Sequence, residues 1–136
     1  MDERDRRILE ILTKDSSTPN VKIARALKVS EASVRKRVAK LRADGVIRRF
    51  TVELEESLGV GAISLVAVDP AVPTKVVAHE IMKLEGVERV YEVTGNFDLA
   101  VIFYAESAEK LNDTLDKIRH LKHVQNTDTR MILKKW

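Results

Sequence analysis

With 136 residues, 44% of them hydrophobic and 33% charged, the chain has the composition of a globular protein, and its length admits one domain or two very small ones. It has no cysteine, which excludes disulfides, thiolate metal sites and cysteine nucleophiles. The formal net charge of +3 conceals an asymmetry: residues 1–54 carry 14 Lys and Arg against 8 Asp and Glu, net +6, whereas residues 55–136 carry 10 against 13, net −3, so a basic part suited to nucleic acid is joined to an acidic part with another task.

The opening Met1-Asp2-Glu3-Arg4-Asp5-Arg6-Arg7 leads into an amphipathic pattern rather than a signal-peptide core, and no apolar run is long enough to span a bilayer. A cytoplasmic location with no membrane role is therefore expected. Asp2 should cap a first helix running to about Asp15, with Ile8, Leu9, Ile11 and Leu12 as its apolar face. Thr18 should cap a second helix, with Pro19 at its first position and Ile23, Ala24 and Leu27 turned inward. Only Lys28 and Val29 then precede Ser30, the expected N-cap of a third helix that Gly45 stops. Two helices joined by so tight a turn make a helix-turn-helix, although the turn usually favours Gly and Lys28 stands there.

The third helix puts Val34, Val38 and Leu41 on one stripe and carries five Lys or Arg elsewhere. Such a helix could be a solvated surface element, but the tight turn and trihelical frame give it the setting of a DNA-reading helix. Residues near its start reach deepest into a major groove. Ala32, Ser33 and Lys36 are accordingly expected to face bases, with Arg35 at the edge and the capping Ser30 beside them. Lys22, Arg25, Arg37, Lys40 and Arg49 are expected as phosphate or structural partners, the alternative for Arg37 being a salt bridge to the domain's own acids.

Val46–Leu54 has the β-branched and aromatic content of a strand, and 55–61, with two Gly and two acids, reads as a hinge. The expected domains are thus a helix-turn-helix unit over 1–46, a strand and hinge linker over 47–61, and a second domain over 62–136. In the last, a strand over 62–69 is followed by a helix from a Thr74 cap through Leu84. A strand over 87–94, a tight turn at Gly95-Asn96 and a strand over 97–105 form a hairpin. A helix capped by Ser107, with Leu111, Leu115, Ile118 and Leu121 as its buried stripe, precedes a final strand over 123–133. The order βαββαβ predicts a ferredoxin-like α+β sandwich. Leu99, Val101 and Phe103, with Met131 and Leu133, should supply a helix-packed face and surface for a second copy, which so small a core invites.

No paired carboxylates, Ser-His-Asp set or Gly-rich phosphate loop occurs in the context its chemistry requires, so neither catalysis nor a cofactor is expected. His120 and His123 span a helix end and a strand start without a clear third ligand, which favours a capping or surface role over a metal site.

Both halves together resemble the Lrp/AsnC, or feast/famine, family of prokaryotic transcription regulators. The motifs are the charged opening through Leu9, Ile23-Ala24 with Val29–Val38, Gly45-Val46-Ile47, and Val90-Tyr91-Glu92-Val93-Thr94-Gly95-Asn96-Phe97-Asp98. Ser-Glu-Ala-Ser-Val-Arg-Lys-Arg is most similar to the archaeal subgroup that regulates lysine biosynthesis. The resemblance implies a winged-type helix-turn-helix DNA-binding domain, a strand linker, and a ligand-sensing domain that assembles homodimers and often octamers. It implies a regulator whose double-stranded DNA affinity or assembly responds to an amino acid effector, with lysine the candidate; the alternative is an architectural DNA-compacting protein indifferent to effector. It places the effector loop at Thr94, Gly95, Asn96, Phe97 and Asp98, with Thr127, Asp128 and Thr129 on the last strand nearby. Asn96 stands where many relatives carry an acid, so the charge for a cationic effector must come from Asp98, Asp128 or Glu92. For Gly95 and Asp98 the alternative is a purely structural part in the turn; on the functional reading, Asp98→Ala should weaken effector binding and leave the fold intact.

Overall fold

The computed structural model describes residues 1–54 and 59–136, which fall into two compact units, Met1–Glu53 and Leu54–Trp136. Part of the expected hinge, residues 55–58, lies outside the described residues.

The first unit holds α1 (Glu3–Lys14), α2 (Asn20–Leu27) and α3 (Glu31–Ala43). Asp2 caps α1 in a reciprocal box: its carboxylate accepts the Asp5 amide and the Asp5 carboxylate accepts the Asp2 amide, both at 2.9 Å. Thr18 does not cap α2. Pro19 does so at φ −63°, ψ 145°, its carbonyl accepting the Lys22 and Ile23 amides while no side chain caps them. Lys28 takes the left-handed conformation, φ 53° and ψ 47°, that the sequence pattern reserves for Gly at this turn, and the Val29 amide closes it on the Ala24 carbonyl at 3.0 Å. Ile8, Ile23, Ala24, Val34 and Leu41 form the buried core, with Leu12, Leu27, Val38 and Ile47 packed around it. Burial of each large aliphatic side chain contributes roughly 1.5–3 kcal/mol, which so small a unit cannot forgo.

The expected strand over Val46–Leu54 is absent. The segment follows Gly45 (φ 72°) outside any strand ladder, with Phe50, Val52 and Leu54 exposed. Strand-forming residues do not make a strand alone; the ladder needs a neighbour, and the unit offers none. The Arg42 guanidinium lies 5.9 Å from the Phe50 ring centroid, and the Ser16 hydroxyl donates to the Thr51 carbonyl at 3.2 Å.

The second unit runs β1 (Val60–Val68), α4 (Thr74–Met82), β2 (Val87–Glu92), β3 (Leu99–Ala105), α5 (Ala108–His120) and β4 (Val124–Met131). The sheet order β2-β3-β1-β4, with antiparallel neighbours throughout, is the ferredoxin-like arrangement. Ser107 caps α5, accepting the Lys110 amide at 3.3 Å, but α4 starts from Pro73 without a side-chain cap; Thr74 is its first residue and Met82 its last. The expected tight turn at Gly95-Asn96 is instead a six-residue loop, 93–98, closed by the Val93 amide on the Asp98 carbonyl at 2.9 Å.

Phe103 is fully buried, with Leu99, Val101, Val66, Ile81, Leu111 and Ile118 in the same core under α4 and α5. The Ser64 and Thr129 hydroxyls share a hydrogen bond of 2.8 Å within it, so these polar groups are satisfied. This corrects the expectation that Leu99, Val101 and Phe103 also serve a partner: all three point at the helices. The sheet's other face carries Ile63, Leu65, Ala100, Ile102 and Tyr91, partly or fully exposed.

Candidate nucleic-acid interface and ligand loop

In α3, Ser30 accepts the Ser33 amide at 3.2 Å and thereby occupies its hydroxyl as a cap. From that start the 100° advance per residue sends Val34 inward and leaves Ala32, Arg35, Lys36 and Lys40 exposed, with Ser33 half-buried. Neither the Lys36 nor the Lys40 ammonium forms a hydrogen bond or ion pair among the described residues. They line a shallow cleft of about 500 Å³ with Ser33, Arg37 and the Met1–Asp5 end of α1. Arg35 is exposed and pairs loosely with Glu31 at 3.5 Å.

Arg37 differs from its neighbours. It donates to the Asp5 carboxylate at 2.7 Å and to Asp2 at 2.6 Å, tying α3 to the start of α1. Of the two roles the sequence left open, the structural one is realised. The reciprocal backbone hydrogen bonds of the capping box, reinforced by Arg37, hold the Asp2 and Asp5 carboxyls below the usual aspartate range, and the two carboxylates in turn raise Arg37. Lys22 and Arg25, exposed on α2, and Arg49, exposed on the segment after α3, complete the cationic side chains singled out in the sequence.

In the second unit, loop 93–98 presents Thr94, Gly95 and Asn96 to solvent and half-buries Phe97 and Asp98. The amides of Thr94, Gly95, Asn96 and Phe97 have no hydrogen-bond partner among the described residues, so four successive N–H donors stand open beside Glu92. Asp98 is committed to the scaffold: its amide donates to the Val66 carbonyl at 2.9 Å and its carboxylate accepts the Val68 amide at 2.7 Å, at the point where the β1–β4 register shifts. This is a contact to a neighbouring strand rather than the bond to its own turn that the sequence suggested.

Thr127, Asp128 and Thr129 do not converge. Alternation sends Thr127 and Thr129 to the helix side, where Thr129 meets Ser64, and Asp128 to the open face, where it pairs with Arg130 at 2.9 Å. Of the three carboxylates offered for a cationic effector, Glu92 alone lacks a partner among the described residues. The structure adds Arg119, which sequence reasoning missed: its Nε donates to Thr127 at 3.3 Å beside a polar recess of about 250 Å³. Its place in the basic last turn of α5 reads as helix-dipole complementarity, and nothing in the sequence links it to β4.

Of the histidines, His120 contacts the Asp116 carbonyl at 2.6 Å and His123, at φ 74°, lies 3.7 Å from Asp69, so both serve chain turns. Among the described residues no cluster of metal-ligating side chains occurs, and no helix is long and apolar enough to cross a membrane.

Residues 1–48 match the family model for winged helix-turn-helix DNA-binding, and residues 61–136 match that for the Lrp/AsnC ligand binding domain. Over 136 residues the chain is 43% identical to the HTH-type transcriptional regulator LysM of Sulfurisphaera tokodaii, covering all of this chain and 97% of that one. It is 44% identical to LysM of Saccharolobus solfataricus, covering all of this chain and 96% of the other. Among solved structures, the feast or famine regulatory protein from M. tuberculosis complexed with L-methionine superposes with a TM-score of 0.82 at 26% identity, over 99% of this chain and 93% of that one.

Proposed function

As the chain belongs to the Lrp/AsnC family of transcription regulators, with a helix-turn-helix DNA-binding domain followed by the family's ligand-binding domain, we propose that it reads specific operators and that an amino acid bound at loop 93–98 alters its DNA affinity or assembly. Its relatives are regulators rather than enzymes.

The observation that carries the DNA reading is the exposed row on α3. Ala32, Ser33 and Lys36, with Arg35 at the edge, face base edges, while Lys40, Lys22, Arg25 and Arg49 neutralise phosphates. Ser30 fixes where the helix begins, and Arg37 fixes its angle against α1. Phosphate contacts supply most of the affinity, and a good base contact discriminates by about 1–3 kcal/mol.

The open amides of residues 94–97 suit an α-carboxylate, and Glu92 suits an ammonium. An effector with a second cationic group, such as lysine, agrees with an exposed carboxylate at this end of β2, and the name LysM of two relatives points the same way. Asp98 supports the loop from beneath, and Thr127, with Arg119, extends the polar end of the sheet. The open sheet face, with Ile63, Leu65 and Ile102, joins two copies into a dimer that sets two recognition helices on half-sites, and dimers associate further into octamers. The regulator acts in the cytoplasm, where its DNA is.

Footprinting on the chain's own upstream region at physiological salt, with and without each amino acid, tests the proposal. A bounded footprint that one amino acid strengthens or weakens is the expected result. Uniform coverage indifferent to every amino acid marks an architectural DNA-coating protein and overturns it.

A further inference from the structure

The open face of the sheet is ordered in rows. Pairing across the four strands lines up Tyr91, Ala100, Leu65 and Asp128 in one row and Arg89, Ile102, Ile63 and Arg130 in the next. Each row has an apolar middle, supplied by β3 and β1, and a polar residue at either edge. Neighbouring rows on one face stand roughly 7 Å apart along the strands. On β4 that spacing brings the exposed Asp128 and Arg130 side chains into an ion pair at 2.9 Å, and on β2 the Arg89 guanidinium donates to the Tyr91 hydroxyl at 3.2 Å.

Two copies that stack these faces with their strands aligned are related by a two-fold axis running either along the strands or across them. An axis along the strands keeps every residue in its own row and exchanges the edges, so Arg89 of one copy stands opposite Arg130 of the other, twice per dimer. Glu88, 3.7 Å from the Arg89 Nε, offsets part of that repulsion. An axis across the strands, passing between the rows, exchanges the rows and keeps the edges. Arg130 then stands opposite the second copy's Asp128 and Arg89 opposite its Tyr91, while Ile63 meets Leu65 and Ile102 lies over the small Ala100. Stacked sheets lie about 10 Å apart, a gap that an arginine and an aspartate reaching from opposite sides can close. Opposite charges across the interface favour this register, and like charges disfavour the other.

We propose that the dimer two-fold runs across the strands, so that Asp128 and Arg130 on β4 meet Arg130 and Asp128 of a second copy and close a ring of four alternating charges. This arrangement rests on the reading of the open sheet face as the dimer interface, and it gives the β4 pair the task of selecting the register in which two copies join. Within one chain the pair is exposed and contributes little to stability, so its side chains turn to a second copy at small cost.

Two full-length variants with opposite edges test it. Asp128→Arg carries two cations on this part of β4 and Arg130→Asp two carboxylates, and both lose the intrachain pair equally. In sedimentation over a concentration series, each variant alone should raise the dimer dissociation constant about tenfold or more, with circular dichroism unchanged. Mixed in equal amounts, the two should recover wild-type association, because each cation then faces a carboxylate across the interface. A purely intrachain role predicts no gain on mixing, so a mixture that associates no better than its components overturns the proposal. Tighter self-association of Arg130→Asp also overturns it, since that variant sets a carboxylate opposite Arg89 about the other axis. Ile63→Asp separates the premise from the pairing. A dimer that survives Ile63→Asp removes the open face itself as the interface. A dimer that Ile63→Asp dissociates, but that both β4 variants leave at wild-type strength, overturns the pairing alone.

Discussion

Replacing Asp98 separates the scaffold role of this residue from any role toward ligand. Its carboxylate accepts the Val68 amide at 2.7 Å, and Val68 is only 6% exposed, so alanine leaves a nearly buried N–H without a partner. An unsatisfied buried donor costs about 1–3 kcal/mol, and a hydrogen bond to a charged group lies in the upper part of that range, so about 2 kcal/mol is expected. For a domain of 60–100 residues each kcal/mol moves Tm by roughly 4–8 °C, which gives a fall of about 8–16 °C. Asparagine keeps an acceptor in the same place and should recover most of the loss. The assay is calorimetric melting of wild type, Asp98→Ala and Asp98→Asn at one protein concentration, followed by titration with amino acids. The sequence alone led to the expectation of an intact fold; with the Val68 amide bonded to this carboxylate, a loss of stability is expected instead. A Tm of Asp98→Ala within 2–3 °C of wild type, well below the roughly 8 °C minimum just worked out, would refute the reasoning.

Lys36→Ala should weaken operator binding and relax its preference among operators, while Lys40→Ala should lower the salt slope of log K by about 1, both read by fluorescence anisotropy across a salt series. Arg37→Ala should leave that slope unchanged and destabilise the first unit instead, seen as an earlier melt of the helical signal. Because the folded-state pKa values of Asp2 and Asp5 are depressed, their contribution to stability is present above the ordinary aspartate range and is lost as pH falls through the folded values. The wild type should therefore lose stability below about pH 4 more steeply than Arg37→Ala, as acid titration by circular dichroism would show. Glu92→Gln should weaken a cationic effector more than an uncharged one in calorimetric titration, and equal losses would remove Glu92 from the site. Ile63→Asp, on the open sheet face, should give a smaller species in light scattering with the fold retained.

Much of the secondary structure was legible because its signals are local. Asp2, Ser30 and Ser107 cap as expected, since a side-chain oxygen a few atoms from free amides needs no tertiary context. Thr18 and Thr74 failed beside prolines: Pro19 and Pro73 adopt the extended cap geometry unaided and displace the hydroxyl from the cap position. The Val46–Leu54 segment has strand residues but no neighbour, and pairing is a property of two segments that one sequence window does not contain. The face of β3 was equally hidden. Leu99, Val101 and Phe103 alternate with Ala100, Ile102 and Tyr104, so both parities are apolar, and only packing against α4 and α5 decides which is inside.

The candidate sites divide the same way. The recognition helix was readable because a cap, a stripe and a turn fix which residues face outward within 13 consecutive positions. The partition of its cations was not, since Arg37 and Lys36 are adjacent and chemically alike, yet one is neutralised by Asp2 and Asp5 and the other is open. That partition has a functional consequence. A cation already paired at 2.6–2.7 Å has little counterion to release when DNA binds, so on the proposed reading Arg37 sets the presentation of α3 rather than its affinity. On the proposed reading the generic attraction rests on Lys40 and the α2 cations, and discrimination on Lys36 and the small residues at the start of α3, where Ala32 and Ser33 let the backbone approach base edges closely. Enlarging Ala32 should therefore alter which operators are bound while leaving the salt slope in place, whereas removing Lys40 should lower the slope and keep the ranking of operators.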